Sequence, residues 1–314
     1  MLPKPCELPT ALRPGDRLRV ITPSGPLGDL DRIREGVEIW RSHGFKVDLG
    51  PEGDLDRTYG YLAGTDPERR RQLTQALTDP NIKGILCARG GYGATRLLED
   101  FEWPFMAAGA QALQYGQAIA PKWLIGFSDI TALLWSLANQ GITGLHGPVL
   151  TTLPQEPPET RDRLFAAVQG HPLAPLTGEG WGNGRATGRL FPGNLAVATH
   201  LLGTRHCPNL TDAILAFEDI GEHPYRLDRF ITHWRNTGLL YNIAGIALGR
   251  FSDCDPPENR SSLTLEELWR DRLQDLNLPI VSNLTFGHSG PNAALPVGCM
   301  AEIDGDQGTL AVLQ

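Results

Sequence analysis

The stretch from Pro121 to Leu137 constrains the fold more than any other part of the chain. Its first half reads as a short buried strand, and its second half places leucines and Trp135 at helical spacing. Ser128 therefore falls on a sharp strand-to-helix corner, where Gly126 lets the backbone turn tightly. Such a corner presents a serine hydroxyl as a nucleophile, with helix N–H groups pointing at the group it attacks. The alternative is that Ser128 or Asp129 only caps the helix.

The residues before this corner alternate between strand and helix patterns. Strands are predicted at 17–22, 46–49 and 83–88, with helices at 30–43 and 65–77. Because a strand–helix–strand order brings parallel strands together, the N-terminal half is predicted to be an α/β fold with helices on the faces of its sheet. The arginine run at 69–71 lies in the second helix and is interpreted as a solvated face.

A glycine-rich turn, Arg89-Gly90-Gly91-Tyr92-Gly93, follows the third predicted strand. It has neither the Gly-Lys-Ser/Thr of a phosphate-binding loop nor the glycine spacing of a dinucleotide site. Since the carboxyl ends of neighbouring parallel strands share one crevice, this turn could lie beside Ser128. Gly91 could then donate a backbone N–H there, or the glycines could simply permit a tight turn.

At 314 residues the chain exceeds the usual size of one hydrophobic core, so two domains are predicted. Residues 1–152 form the first. Residues 153–184, rich in proline, glycine, threonine and glutamate with little periodicity, are predicted to be a linker. Residues 185–314 form the second, with a strand at 186–191, a turn at 192–194 and further strands and helices to the end.

The composition excludes several classes of function. A net charge of −8 without a basic cluster argues against nucleic-acid binding. The five cysteines include no Cys-x-x-Cys pair, so neither a disulfide framework nor a metal site is predicted. The N-terminus lacks the apolar segment of a secretory signal and no later stretch approaches a membrane span, so a cytoplasmic protein with no membrane partner is expected.

A nucleophilic serine needs a base, usually a histidine oriented by a carboxylate. Among eight histidines, His146 and His288 stand out because each is near glycines at a strand end, where a loop can aim it into a cleft. Glu218 and Asp219 end a buried strand, where an ionised group needs a partner. That partner could instead be an arginine, Arg226 or Arg229. The residues alone decide neither choice.

Ten short motifs, in this order, resemble those of the LD-carboxypeptidases, a family of serine peptidases that also includes the microcin C immunity peptidases. They are Arg13-Pro14-Gly15-Asp16, Pro23-Ser24-Gly25, Gly60-Tyr61-Leu62-Ala63-Gly64, Arg89-Gly90-Gly91-Tyr92-Gly93, Gly126-Phe127-Ser128-Asp129, Gly193-Asn194-Leu195, Glu218-Asp219, Tyr225-Arg226, Asp228-Arg229 and Gly287-His288. The resemblance implies a catalytic triad of Ser128 as nucleophile, His288 as general base and Glu218 as its orienting group. It also implies an oxyanion hole formed by the backbone N–H groups of Gly91 and Asp129.

The same resemblance implies a fold and an assembly. The N-terminal domain would be doubly wound, like that of class I glutamine amidotransferases, with a mostly parallel sheet. A smaller β-rich α/β domain would follow, with the active site between the two. The resemblance implies a homodimer, and no cofactor is expected.

The implied function is release of the terminal D-alanine from murein tetrapeptides, with meso-diaminopimelate or lysine at the L-centre, during cytoplasmic peptidoglycan recycling. One alternative is an immunity-type peptidase acting on an acyl-adenylate-like toxin, with an aromatic residue such as Trp181 stacking on adenine. An α/β-hydrolase esterase is disfavoured because the stretch around Ser128 lacks the second glycine of Gly-x-Ser-x-Gly. A non-catalytic peptide-binding protein on the same scaffold is the remaining alternative.

Overall fold

A computed structural model describes residues 4–28, 30–51, 53–104, 119–256 and 261–313. The strands in these ranges form two sheets. The first sheet is built mainly from the N-terminal half, with strands β1 (Arg17–Ile21), β2 (Lys46–Asp48), β3 (Ile82–Cys87), β4 (Trp123–Gly126) and β5 (Leu145–His146).

These five strands are all parallel and lie in the order β2-β1-β3-β4-β5. In such a sheet the order reverses between β1 and β3, and ligands bind in the crevice outside the carboxyl ends of the strands. The turns that follow β1, β3 and β4 contain Ser24, Gly90 and Ser128. Because these strands are parallel, the three residues lie at the same edge of the sheet, outside the carboxyl ends of its strands.

Helices cover the first sheet. They are α1 (Leu30–Ser42), α2 (Asp66–Thr78), α3 (Ala94–Leu97), α4 (Thr131–Asn139) and α5 (Pro158–Gln169). Helix α1 buries Ile33, Val37 and Trp40, which recur at helical spacing, and leaves its other face in solvent. Helix α4 is different because all its residues from Thr131 to Ala138 are buried. A helix with no solvent face must be packed from several sides, and α4 lies between the two sheets, where Trp135 contacts aromatic rings of the second.

The second sheet contains eight strands, in the order β6-β14-β13-β8-β9-β10-β11-β7. They are β6 (Leu176–Thr177), β7 (Glu179–Gly180), β8 (Arg185–Asn194), β9 (Ala213–Ile220), β10 (Gly245–Ser252), β11 (Ile280–Ser282), β13 (Met300–Asp304) and β14 (Thr309–Val312). Strand β12 (Leu295–Pro296) returns to the first sheet and pairs antiparallel with β5. Strands β8 to β11 are parallel and form the centre, and the helices of this half are α6 (Leu195–Leu201), α7 (Pro224–Asn236) and α8 (Leu265–Leu273).

The α/β fold class, with a mostly parallel first sheet and a second β-rich half, is confirmed. Segment 153–184, interpreted above as a linker, holds α5 and the two short strands β6 and β7. The division into domains at 152 and 185 stays a prediction.

The predicted turn at 192–194 is wrong, because β8 runs on to Asn194 and Asn194 pairs with Glu218 of β9. Proline can occupy this strand because Pro192 lies beyond the part of β8 that pairs with β13, so its missing N–H interrupts no ladder on that side.

Candidate active site

Ser128 occupies the corner that the sequence predicts. Strand β4 ends at Gly126, a short 3₁₀ turn spans Ser128–Ile130, and α4 begins at Thr131. Ser128 has a φ of +63°, a left-handed backbone that is uncommon for residues other than glycine. Such backbones cost energy and cluster at functional sites, so the corner is a strained presentation of the hydroxyl rather than an ordinary helix cap.

The Ser128 hydroxyl is the first group in a chain of hydrogen bonds that joins the two halves of the protein. Its Oγ lies 2.9 Å from Nε2 of His288. Nδ1 of the same ring lies 2.6 Å from Oε2 of Glu218, whose side chain is fully buried. The structure thus brings together the three residues that the resemblance singled out, in an order that could carry a proton from the serine to the imidazole.

The electrostatics of His288 follow from this arrangement. Burial lowers the pKa of the His288 imidazole. The hydrogen bond to Glu218 and the charge of that carboxylate raise the pKa by more than burial lowers it, so the net pKa lies above the ordinary value for histidine. Glu218 therefore stabilises the imidazolium form. That is the form a general base reaches after it has taken a proton.

The loop after β11 holds His288 in place. Gly287 has a φ of +130°, and a Cβ there would lie 2.9 Å from the Arg250 carbonyl oxygen, so only glycine fits without a shift. Its N–H donates to Oδ1 of Asn292 at 3.1 Å, and the N–H of Asn292 donates to Oε2 of Glu156 at 3.0 Å. These bonds tie the histidine loop to the segment after the first sheet.

Asp219, the neighbour of Glu218, belongs to a separate set of contacts. Its Oδ1 accepts from Nδ2 of Asn194 at 2.8 Å, and its Oδ2 accepts from the N–H of Ala196 at 2.9 Å. Burial, together with the charge of Glu218, raises the pKa of Asp219 to about 6. This carboxylate fixes the start of α6. Among the described residues neither carboxylate forms an ion pair with Arg226 or Arg229, so the alternative pairing considered from the sequence is wrong.

His146, the other histidine that the sequence favoured, is fully buried at the end of β5. Its ring lies about 6 Å from the rings of Phe127 and Phe286, and neither ring nitrogen has a hydrogen-bond partner within the described ranges. Burial lowers its pKa to about 4, so the ring is neutral at physiological pH. His146 stands near the triad but outside its hydrogen-bond chain.

The proposed oxyanion donors lie in turns packed against the serine. A Cβ on Gly90 would lie 2.9 Å from Cβ of Ser128, so the glycine turn approaches the serine corner closely. Gly91 is the next residue of that turn. Asp129 follows Ser128 in the 3₁₀ turn. Its buried carboxylate accepts from Oγ of Ser24 at 2.6 Å and from the N–H of Ala94 at 2.8 Å, so its side chain binds neighbouring turns together.

Arg69 corrects the interpretation of the arginine run as a solvated face, because its side chain is fully buried. It donates to the carbonyl oxygens of Pro23 and Gly93 and pairs with Asp66, which compensates the cost of burying its charge. Arg69 thus ties together the turns after β1 and β3. The sequence carries no signal for this role, since an arginine in a polar helical run is typical of a surface.

A cleft of about 490 Å³ opens beside Ser128. Its described lining is Gly28, Arg32, Arg89, Gly90, Gly91, Phe127, Ser128, Val149, Thr151, Thr152, Ile220 and His288.

Over the ranges that the structure covers, no group of three or more His, Cys, Asp or Glu side chains could hold a metal ion. No helix in those ranges is long and apolar enough to cross a membrane.

The chain is similar to known proteins over nearly its whole length. The family model for the LD-carboxypeptidase N-terminal domain matches residues 18–147, and that for the C-terminal domain matches residues 187–303. A Synechocystis protein provisionally named a carboxypeptidase is 54% identical, over 99% of each chain. The chain belongs to the LD-carboxypeptidase family.

Two further relatives show the range of the family. The murein tetrapeptide carboxypeptidase of Pseudomonas aeruginosa is 31% identical to this LD-carboxypeptidase family member, over 93% of this chain and 94% of its own. The solved structure of MccF in complex with glutamyl sulfamoyl guanosine superposes with a TM-score of 0.85, covers 98% of each chain and is 21% identical. At that identity the MccF structure shows the fold alone.

Sequence reasoning missed the two arginines that line the cleft of this LD-carboxypeptidase family member. Arg89 immediately precedes the glycine turn at the carboxyl end of β3, which is a position where a cation could have been noted. Arg32 lies in α1 and has no sequence feature that distinguishes it from the other exposed arginines of that helix.

Proposed function

We propose that the chain is a serine LD-carboxypeptidase that releases the terminal D-alanine from murein tetrapeptides. The observation that carries the proposal is the hydrogen-bonded chain from Ser128 through His288 to Glu218, at 2.9 and 2.6 Å. The name of the Pseudomonas relative supports the substrate class. The division of the chain supports the mechanism, since the predicted N-terminal domain (1–152) holds Ser128 and the predicted C-terminal domain (185–314) holds the other two residues.

In the first half of the reaction, Oγ of Ser128 attacks the carbonyl carbon of the last peptide bond while Nε2 of His288 takes the hydroxyl proton. The carbonyl oxygen becomes an oxyanion, which the backbone N–H groups of Gly91 and Asp129 would stabilise. The C–N bond then breaks, and the His288 imidazolium donates its proton to the departing amine of D-alanine. An ester between Ser128 and the shortened peptide remains.

In the second half, water attacks that ester. His288 takes one proton from the water and returns it to Oγ of Ser128, so the serine is restored and the tripeptide leaves with a new carboxylate. Glu218 stabilises the imidazolium each time it forms. No metal or cofactor takes part in these steps.

The setting of the reaction is part of the proposal. We place it in cytoplasmic recycling of cell-wall peptides and expect the enzyme to be a homodimer, as the family resemblance implies.

The immunity-type alternative gains no specific support from Trp181. The indole of Trp181 donates to Oγ of Ser282 at 3.0 Å, and the Arg270 guanidinium lies 5.4 Å from the ring centroid. Trp181 lines a different cavity from the one beside Ser128. A ring already packed in this way is poorly placed to stack on a nucleobase at the reacting bond.

The test is to incubate the purified protein with a murein tetrapeptide and measure released D-alanine. The wild-type protein is expected to release one D-alanine per tetrapeptide, and Ser128→Ala is expected to abolish turnover while unfolding at the same temperature. If the wild type released no D-alanine, or if the Ser128→Ala variant released as much as the wild type, the proposed function would be refuted.

A further inference from the structure

The cleft beside Ser128 is lined by two arginines that the proposed mechanism does not use. Arg32 and Arg89 line it, and no Asp or Glu is among its described lining residues. A concentration of guanidinium groups in a cleft attracts an anionic group of the substrate.

We propose that Arg32 and Arg89 form a subsite for a substrate carboxylate, namely the free carboxylate of the C-terminal residue that leaves. The inference rests on the proposed carboxypeptidase function and deepens it. It explains how the cleft would select the last peptide bond, because only the last residue has a carboxylate directly beyond the bond to be broken.

Arg89 is held where such a subsite is needed. Its Nη1 donates to the carbonyl oxygen of Pro26 at 2.8 Å, which fixes one edge of the guanidinium. Within the described residues this is its one hydrogen bond, and no carboxylate pairs with it, so its other N–H donors can serve a ligand. The next residue, Gly90, packs directly against Ser128. Arg89 therefore directly precedes the glycine that contacts the serine.

Arg32 reaches the same cleft from α1 and is also oriented. The side-chain oxygen of Gln155, in the amide orientation that satisfies both of its ends, accepts from Nη1 of Arg32 at 3.0 Å and from Nη2 at 3.2 Å. The amide of Gln155 therefore holds the guanidinium in one orientation. Two arginines with defined orientations can bind a carboxylate through several charge-assisted hydrogen bonds, which lysines would form less specifically.

A murein tetrapeptide offers two possible sources of this carboxylate. One is the C-terminal carboxylate of D-alanine, to which we commit. The other is the side-chain carboxylate of meso-diaminopimelate, which a lysine-containing tetrapeptide lacks. Three substrates separate them: the diaminopimelate tetrapeptide, its C-terminal amide, and the lysine tetrapeptide.

The experiment measures kcat/KM for each substrate with wild type, Arg89→Met, Arg89→Lys and Arg32→Met. Arg34→Met is the matched control, because Arg34 is an exposed residue of the same helix that pairs with Asp31 outside the cleft. The wild type is expected to prefer the free acid over the amide, mainly through KM. Arg89→Met should lower kcat/KM for the acid by about 10- to 100-fold, the range for losing charge-assisted hydrogen bonds, and leave the amide nearly unchanged.

The other variants sharpen the result. Arg89→Lys should recover part of the preference, since it keeps the charge but loses the planar fork. Arg32→Met should show a smaller loss than Arg89→Met, and Arg34→Met none. Unfolding temperatures of all variants verify that they are folded.

Two results would overturn the inference while leaving the proposed function standing. In one, the wild type releases D-alanine but Arg89→Met and Arg32→Met keep the full preference for the acid over the amide. In the other, these variants lose only discrimination between the diaminopimelate and lysine peptides, which would assign the arginines to the side-chain carboxylate. If the wild type released no D-alanine from any peptide, the proposed function itself would fall.

Discussion

Replacing Glu218 by glutamine is expected to disable the enzyme while preserving its shape. In the wild-type protein, Oε2 of Glu218 lies 2.6 Å from Nδ1 of His288 and keeps the proton on that nitrogen, so that Nε2 faces Ser128 as an acceptor. A glutamine would offer an amide N–H to Nδ1 and favour the tautomer protonated on Nε2. If its oxygen faced the ring instead, the neutral amide would stabilise the imidazolium far less than a buried carboxylate does.

The size of the effect can be estimated from this geometry. Glu218 is fully buried, so its charge acts on His288 with little solvent screening. Changing a triad carboxylate to an amide lowers kcat by about 10⁴-fold in chymotrypsin-type enzymes, so we expect a loss of about 10³- to 10⁴-fold here. This corresponds to about 4–5.5 kcal/mol of transition-state stabilisation. The assay is the initial rate of D-alanine release over a range of tetrapeptide concentrations, and KM should change little because Glu218 is not expected to touch the substrate.

Asp219→Asn is the matched control, since Asp219 is the adjacent buried carboxylate and contacts Asn194 and Ala196 rather than His288. It should lower the free energy of unfolding by about 1 kcal/mol through the weakened cap of α6 and change kcat only a few-fold, an order of magnitude at most. If Asp219→Asn were the disabling change and Glu218→Gln were near wild type, the triad would have been assigned to the wrong carboxylate.

Four further predictions follow from the same site. Gly90→Ala should lower D-alanine release by about 100-fold, because its Cβ would lie 3.0 Å from Oγ of Ser128 and displace it; a rate near wild type would show that the turn can yield. The acid limb of kcat/KM should have an apparent pKa above the ordinary value of a histidine, because Glu218 raises the pKa of His288 and the protonated ring cannot act as a base. Glu218→Gln should move the limb to lower pH, and an unchanged limb in that variant would contradict this. His146→Ala should keep substantial turnover, since that ring is outside the hydrogen-bond chain, whereas a loss equal to that of His288→Ala would give it a role in catalysis. Chelator treatment should leave the rate of release unchanged, and loss of activity restored by zinc would reveal a metal site.

Local patterns predicted the parts of the fold that depend on neighbouring residues. The corner at Ser128 follows from an apolar strand, a glycine and a helix pattern within a dozen residues, and the positive φ there agrees with it. Helix α1 at Leu30–Ser42 likewise agrees with the helix predicted at 30–43. Such features need no knowledge of distant parts of the chain.

Long-range pairing decided what local patterns left open. Two histidines near glycines at strand ends looked equivalent, but His146 is buried on β5, between β4 and β12, whereas the loop after β11 carries His288 to the serine. Glu218 and Asp219 are adjacent and point to opposite sides of β9, as successive strand residues do. Which side faces the serine depends on how the two sheets meet, and only the family resemblance made that choice from sequence.

Helix α4 explains how the two halves keep their alignment. It starts three residues after Ser128, and its first residue, Thr131, accepts a hydrogen bond through Oγ1 from the N–H of Asn194 at 3.0 Å. One turn later, Nε1 of Trp135 donates to the carbonyl oxygen of Pro192 at 2.8 Å. The Trp135 ring also packs on Phe217, the residue before Glu218. The helix that fixes the serine corner therefore also fixes the ends of β8 and β9, so the position of the nucleophile relative to Glu218 is set by side chains buried between the sheets.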